Sequence, residues 1–391
     1  MNNPPKHRSV YKAWLPVFAL SFAVFVFNTT EFVPIGLLPN IAESFGRSEA
    51  DAGMLIAIYA WIVSLMSLPL TIVTARIERR KLLIGLFVIF IVSHILSGFA
   101  WNFAVLMAAR TGVAVAHAIF WSITAPLAVR LAPFNNRNRA LVFIVVGSSL
   151  AAVLGVPIGT VVGQWTSWQV TFWLIGALAL IITIVLAVLL PKLPSSNAGS
   201  LKSLPSLLKR PALLHIYLMT AIVITSYFTA YTYITPFMLQ VGGFSERFIV
   251  FLLLLAGSAG MVGSFIFAKF SHNRKLLTIA LGVLFLSLLA FHISASSRPT
   301  ALALCFILGA DFIVIMLSLQ TKVLEVAHDA SDVASSIYSA IFNIGIGGGA
   351  FIGGIVLTNI GMPSIGYFAA GFTFVAFVIF VLFSRRHFYQ V

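Results

Sequence analysis

Charge is scarce in this sequence. Of its 391 residues, 9% are Asp, Glu, Lys or Arg, against roughly 25% in an ordinary soluble domain. A water-soluble chain of this length would need far more charged side chains to cover its core, so a globular enzyme or binding domain in water is excluded. Acids are scarcest, 10 against 24 basic residues. The single cysteine, Cys305, excludes an intrachain disulfide framework. No Cys and His cluster has metal-ligand spacing, so no metal and no other cofactor is expected. The basic excess falls between long apolar stretches rather than on one patch, which argues against a nucleic-acid partner.

Apolar residues are abundant: 60% of the chain is hydrophobic and the mean hydropathy is +1.05. A membrane-crossing helix needs about 20 mostly apolar residues. Twelve such runs are present, at 14–39, 52–75, 82–100, 103–130, 140–163, 168–190, 212–240, 247–269, 275–294, 300–322, 333–358 and 364–384. The expected fold class is therefore an all-α membrane protein with twelve transmembrane helices. The first run is too long for a signal peptide, carries Glu31 and Pro34, and lacks a small-residue cleavage site. With the N-terminus inside, only Arg47, Arg247 and Arg298 fall on the outer side and Arg110 within a helix. The positive-inside rule then places both termini in the cytoplasm.

The long connection "PKLPSSNAGSLKSLPSLLKRP", 191–211, is rich in Pro, Ser and Lys and reads as a cytoplasmic linker. It divides the chain into a six-helix half at 1–190 and another at 212–391. The halves echo each other. Gly155, Gly159 and Gly163 in the fifth run match Gly345, Gly349 and Gly353 in the eleventh, and Pro34 matches Pro236 in depth. Weak internal symmetry of this kind marks transporters whose halves rock about a central site. The glycines themselves read as close helix packing. "GIGGGA" from Gly345 imitates a dinucleotide fingerprint and "AGSAG" from Ala256 nearly makes a nucleophile elbow. Neither sits in a strand–turn–helix context, so nothing argues for an enzyme.

Particular stretches carry a resemblance: "FNTTEFVPIGLLP", "IYAWIVSLMSLP", "ERRKLLI", "ARTGVAVAHAIFWSIT" and "FNIGIGGGA". With twelve spans in two similar, pseudo-symmetric halves, the chain resembles the major facilitator superfamily. Within it, the likeness is to the drug:proton antiporter branch and its bacterial sugar efflux transporters. The superfamily motifs depart in detail: Ala75 and Glu78 replace an Asp and a Gly, and Val113 and Ala114 follow Arg110 where a Gln and a Gly are usual. The resemblance implies a monomeric multi-pass protein of the bacterial inner membrane that exports small sugars or glycosides of arabinose, lactose or thiogalactoside type in exchange for protons. A multidrug:proton antiporter and an uncoupled sugar facilitator remain alternatives.

Buried polar residues supply the candidate site. At 1.5 Å rise per residue, Glu31 lies about 26 Å along the first helix and Arg110 roughly 10 Å into the fourth from its outer end. The resemblance places those two helices side by side around a cavity. Low dielectric disfavours a charged carboxylate, so Glu31 suits a proton carrier with Arg110 steadying its ionised form. The plainer reading is a static ion pair. His117 and Trp121 share the face of Arg110 and suit sugar hydroxyls and an apolar ring face, or else a bond to a neighbouring helix. Asn28, Tyr227, Tyr231 and Asn343 are further candidate substrate contacts, with Tyr59 expected to face the other tyrosines; helix–helix hydrogen bonds compete. His94 reads as packing. Asp311, about 15 Å into the tenth helix, is a second proton site or a partner for a cavity base. Arg76, Arg79 and Arg80 anchor the topology or form part of a gate.

Overall fold

The computed structural model describes residues 10–133, 136–194, 204–271 and 275–384. Most of the linker, 195–203, lies outside the described residues, as do both termini.

Every described regular element is helical. In chain order they are α1 Val10–Gly36, α2 Leu38–Ser44, α3 Glu49–Val73, α4 Arg79–Gly98, α5 Phe103–Leu131 and α6 Arg137–Leu150. A π turn at Ala151–Gly155 joins α6 to α7, Val156–Trp165, and α8 spans Trp168–Leu189. Then follow α9 Leu204–Leu207, α10 Pro211–Tyr231, α11 Ile234–Gln240, α12 Glu246–Phe270, α13 Leu276–Leu289, α14 Arg298–Val326, α15 Ser331–Asn359 and α16 Ile365–Ile379. Eleven of the described helical segments are long and apolar enough to cross a membrane. The ninth apolar run is the exception. Its α-helix is only 14 residues, and a 3-10 stretch at Phe291–Ser296 continues it. The sequence pattern could not separate the two because both are equally apolar.

Polar residues begin these helices where the chain leaves the apolar layer. Ser48 and Asp51 form a reciprocal capping box on α3. Asn102, Ser167 and Ser297 each accept a first-turn backbone N–H, on α5, α8 and α14. Two helices break before their full run is complete. α1 carries Pro34 and turns at Leu37 into α2, and α10 turns at Thr232 and Tyr233 into α11.

Buried apolar side chains gather into two clusters, and α3 contributes to both through different faces. Leu55, Tyr59 and Val63 join a cluster with α1, α4, α5 and α8. Ala52, Ile56 and Ala60 join one with α10, α12, α14, α15 and α16. Four-residue spacing keeps each set on one face of the helix.

The glycine ladders sit where backbones meet. A Cβ on Gly155, Gly159 or Gly163 would lie 2.0, 2.4 and 2.5 Å from Thr29, Val33 and Leu37 of the α1 segment. On α15, Gly345, Gly349 and Gly353 press the same way on Ile224, Thr225 and Thr229 of α10. Gly347 and Gly354 on another face of α15 receive Trp61 and the Tyr233 hydroxyl. α3 and α15 are thus sealed together from Ala50 to Trp61. Towards Val73 the side chains of α3 are open: Leu65, Met66, Leu68, Ile72 and Val73 are all exposed.

Candidate functional site

"NTTE", 28–31, places four consecutive polar residues in the buried middle of α1. Each goes to a different place, because successive residues are turned by about 100° on a helix. Asn28 donates from Nδ2 to Ser148 Oγ on α6, and Thr29 bonds back to the Phe25 carbonyl. Thr30 and Glu31 point towards α4 and α5.

Glu31 is 9% exposed and meets the buried His117, with Oε2 3.7 Å from Nε2. The other ring nitrogen, Nδ1, lies 2.6 Å from the Tyr59 hydroxyl. A carboxylate can only accept, so the fitting arrangement has Nε2–H facing Glu31 and the tyrosine donating to Nδ1. Phe27 and Trp121 flank the imidazole at ring distances of 5.6 and 6.1 Å. Phe27 is itself stacked on Phe120 at 4.0 Å, which fixes the apolar floor of the site.

Arg110 is 1% exposed and does not pair with Glu31. The static ion pair of the plainer reading is not found among the described residues. The reason is competition: Nη1 donates to Thr30 Oγ1 at 2.9 Å, and the guanidinium lies over the Tyr59 ring at 4.5 Å and near Phe172 at 5.7 Å. Each such cation–π contact contributes about 0.5–2 kcal/mol, so two of them compete seriously for its position. Nε and Nη2 are buried with no hydrogen-bond partner. The charge therefore stands near Glu31 without touching it.

Thr30 in turn lies 2.8 Å from His94 Nε2, and His94 Nδ1 lies 2.8 Å from the Phe90 carbonyl. His94 packs as a lone histidine in an apolar helix is expected to, stacking on Phe90 at 4.1 Å, yet it also holds a hydrogen bond to the site. Thr30, His94 and Phe172 escaped the sequence reading. The polar run around Glu31 was the signal for Thr30; nothing local marked the other two.

A second group lies on α10, α14 and α15. Tyr227 stacks on Phe312 at 4.2 Å and on Tyr231 at 5.0 Å. Neither tyrosine hydroxyl bonds a described residue, and Asp311 Oδ2 and Asn343 Oδ1 are buried without a partner. Asn343 Nδ2 returns to Ser339 of its own helix. Tyr59 does not face these tyrosines, contrary to expectation. It sits on the α5 face of α3 with Leu55 and Val63, so its ring goes to His117 and Arg110.

The basic loop after α3 finds backbone rather than acids. Arg79 donates to the Thr74 carbonyl and Arg80 to that of Ala187, while no described carboxylate pairs with Arg76, Arg79 or Arg80. Glu78 caps α4 and accepts from Leu193 N at 2.6 Å. Partial burial pushes its carboxyl up, but the backbone N–H groups of Leu193, Arg80 and Lys81 outweigh this and hold it below the usual range.

The profile of the Major Facilitator Superfamily matches residues 20–335. Among solved structures, a bacterial homologue of the human lysosomal transporter Spinster, in an inward-facing and unoccupied conformation, is 18% identical with a TM-score of 0.70. The alignment covers 97% of this chain and 96% of that one. At this identity the likeness speaks for the fold: a multi-pass bundle of membrane helices.

Proposed function

Because the chain belongs to the Major Facilitator Superfamily, and is thus a secondary transport protein rather than an enzyme, we propose that it exports small neutral sugars or glycosides in exchange for protons. It does so as a monomer in the bacterial inner membrane with both termini cytoplasmic, by alternating access between two pseudo-symmetric six-helix halves at 1–190 and 212–391. The matched glycine ladders, Gly155 to Gly163 against α1 and Gly345 to Gly353 of α15 against α10, support that division, with α13 and its 3-10 extension counted as the ninth span to complete the twelve.

One observation carries the coupling: a buried carboxyl 3.7 Å from a buried imidazole, with an arginine close by and unpaired to it. A carboxyl is tolerated in a membrane interior as the neutral acid and costly as the anion. Glu31 takes a proton from outside and yields it inside, where His117 and Arg110 steady the carboxylate. The seal of α3 on α15 near Ala50 supports a state closed on that side. Asp311, buried with an unpartnered oxygen, offers a second proton site.

Sugar hydroxyls suit Trp121, His117, Asn343 and the unbonded hydroxyls of Tyr227 and Tyr231, with Asn28 and Tyr59 acting from behind through Ser148 and His117. Arg79 and Arg80 tie the loop that also carries Arg76 to neighbouring backbone, so the three gating candidates move with α4 and α8 as one unit. A multidrug:proton antiporter is the second reading, favoured by the Tyr231, Tyr227 and Phe312 stack beside an unpaired Asp311.

The test is loading of everted membrane vesicles with a labelled pentose or thiogalactoside under an inside-acid gradient. Wild type is expected to load and Glu31→Gln is not. Loading by both argues for an uncoupled facilitator, and loading of a lipophilic cation alone argues for drug export.

A further inference from the structure

The contacts around Thr30 run in one direction. The Phe90 carbonyl can only accept, so His94 Nδ1 carries the proton in that 2.8 Å bond. Arg110 can only donate, so Thr30 Oγ1 accepts from it at 2.9 Å and its own hydroxyl proton is free for His94 Nε2 at 2.8 Å. A second cation at His94, fully buried and one hydroxyl away from Arg110, would be heavily disfavoured. The chain therefore reads Arg110 to Thr30 to neutral His94 to Phe90, with a donor matched to an acceptor at each of the three links. Its far end is fixed: His94 is packed against Phe90 and lies near Phe172 on α8.

This chain has a consequence for a neighbour it does not touch. Thr30 and Glu31 are adjacent in sequence, and the Arg110 guanidinium bonded to the first lies near enough to act electrostatically on the second. We propose that His94, acting through Thr30, is a positioning residue that holds the Arg110 guanidinium off the Glu31 carboxyl. The inference rests on Glu31 being the proton-exchanging group. It adds that a direct pair with Arg110 would trap the anion, since a charge-assisted bond in this setting is about twice as strong as a neutral one. The charged and titratable groups facing Glu31 are Arg110 and His117 from α5 and Tyr59 from α3, with His94 of α4 behind Thr30. α7, α8 and α11 contain no ionisable residue, α6 has only Arg137 and Arg139 in its first turn, and Glu43 of α2 is exposed.

The test reads Glu31 itself, with no substrate. The carboxylic C=O infrared band of the purified full chain in lipid is followed across pH and assigned by its loss in Glu31→Gln. Thr30→Val keeps the side-chain shape and removes the anchor. Its band profile is expected to move about one pH unit towards acid, a tenfold easier loss of the proton. Thr30→Ser restores the hydroxyl and is expected to return the wild-type profile. His94→Phe keeps the stacking, lacks the acceptor, and is expected to shift in the same direction; it also carries the test if Thr30→Val does not fold. An unshifted or alkaline-shifted profile in the folded variants, with a wild-type band that responds to pH, overturns the positioning role and leaves proton coupling standing. A wild-type band that never responds to pH overturns both.

Discussion

Two buried carboxyls in one molecule have been treated very differently. Glu31 has an imidazole at 3.7 Å, an arginine within reach and a tyrosine behind the imidazole. Asp311 has no basic partner among the described residues, and aromatic rings stand beside it in place of cations. Both carry the same cost of placing charge in a low-dielectric interior. In the proposed cycle the first group alternates between acid and anion because the anion finds support in His117 and Arg110. The second, with no counter-charge beside it, is the lesser proton site of that proposal.

The sharpest way to break this contrast is to neutralise each acid in turn. Glu31→Gln is expected to lower gradient-driven loading about 100-fold or more, and Asp311→Asn about three- to tenfold, since only the first removes a group with its own counter-charges. Both are measured in the same vesicles, with insertion checked by quantity of protein. Equal losses would end the distinction.

A second, smaller effect probes the seal between the two clusters. A Cβ at Gly347 would lie 2.4 Å from the Trp61 ring. Gly347→Val is expected to cost about 1–3 kcal/mol of overpacking and to lower the thermal midpoint of the purified protein. Gly371→Ala, facing open space, is expected to leave that midpoint unchanged.

Tyr227→Phe tests whether the aromatic group touches substrate. Loss of one hydrogen bond of about 0.5–1.5 kcal/mol is expected to raise KM roughly three- to tenfold with little change in maximal rate. No change in KM would remove this region from the binding site.

The smallest effect lies outside the membrane. Arg210 holds Asp329 through two bonds of 2.7 and 2.6 Å, and its hydrogen bonds lower the Asp329 carboxyl from 3.8 to about 2. A depressed acid contributes stability above its unfolded value near 3.8, and that contribution is lost as pH falls through about 2. Asp329→Asn is therefore expected to change the thermal midpoint only slightly at pH 7, and progressively less as the pH falls below about 2. The pair is exposed, so solvent screens it.

Much of this was legible from residue order. Runs of about 20 apolar residues declare membrane helices, and the four-residue glycine spacing declares close helix packing, whose partners the fold shows to be α1 and α10. Glu31, Arg110 and His117 stood out because polar groups are rare in such runs, and the fold brings all three together. Partner choice was not legible. Tyr59 was assigned to other tyrosines because sequence does not tell which face of a helix buried on two sides will meet which neighbour. His94 was passed over for a related reason: its partner, Thr30, lies 64 residues away. The break in the ninth run was hidden because an apolar 3-10 stretch and an apolar α-helix look alike without their hydrogen bonds.

Trp61 gives the α3–α15 seal an optical side. Its indole is half-buried against Gly347 and 5.6 Å from the Phe351 ring, at the end of the sealed stretch. Separating those helices would carry the indole from a dry contact into water. With the other six of the chain's seven tryptophans replaced, its emission colour is expected to report the opening of the sealed side in the alternating access proposed above, with no label attached.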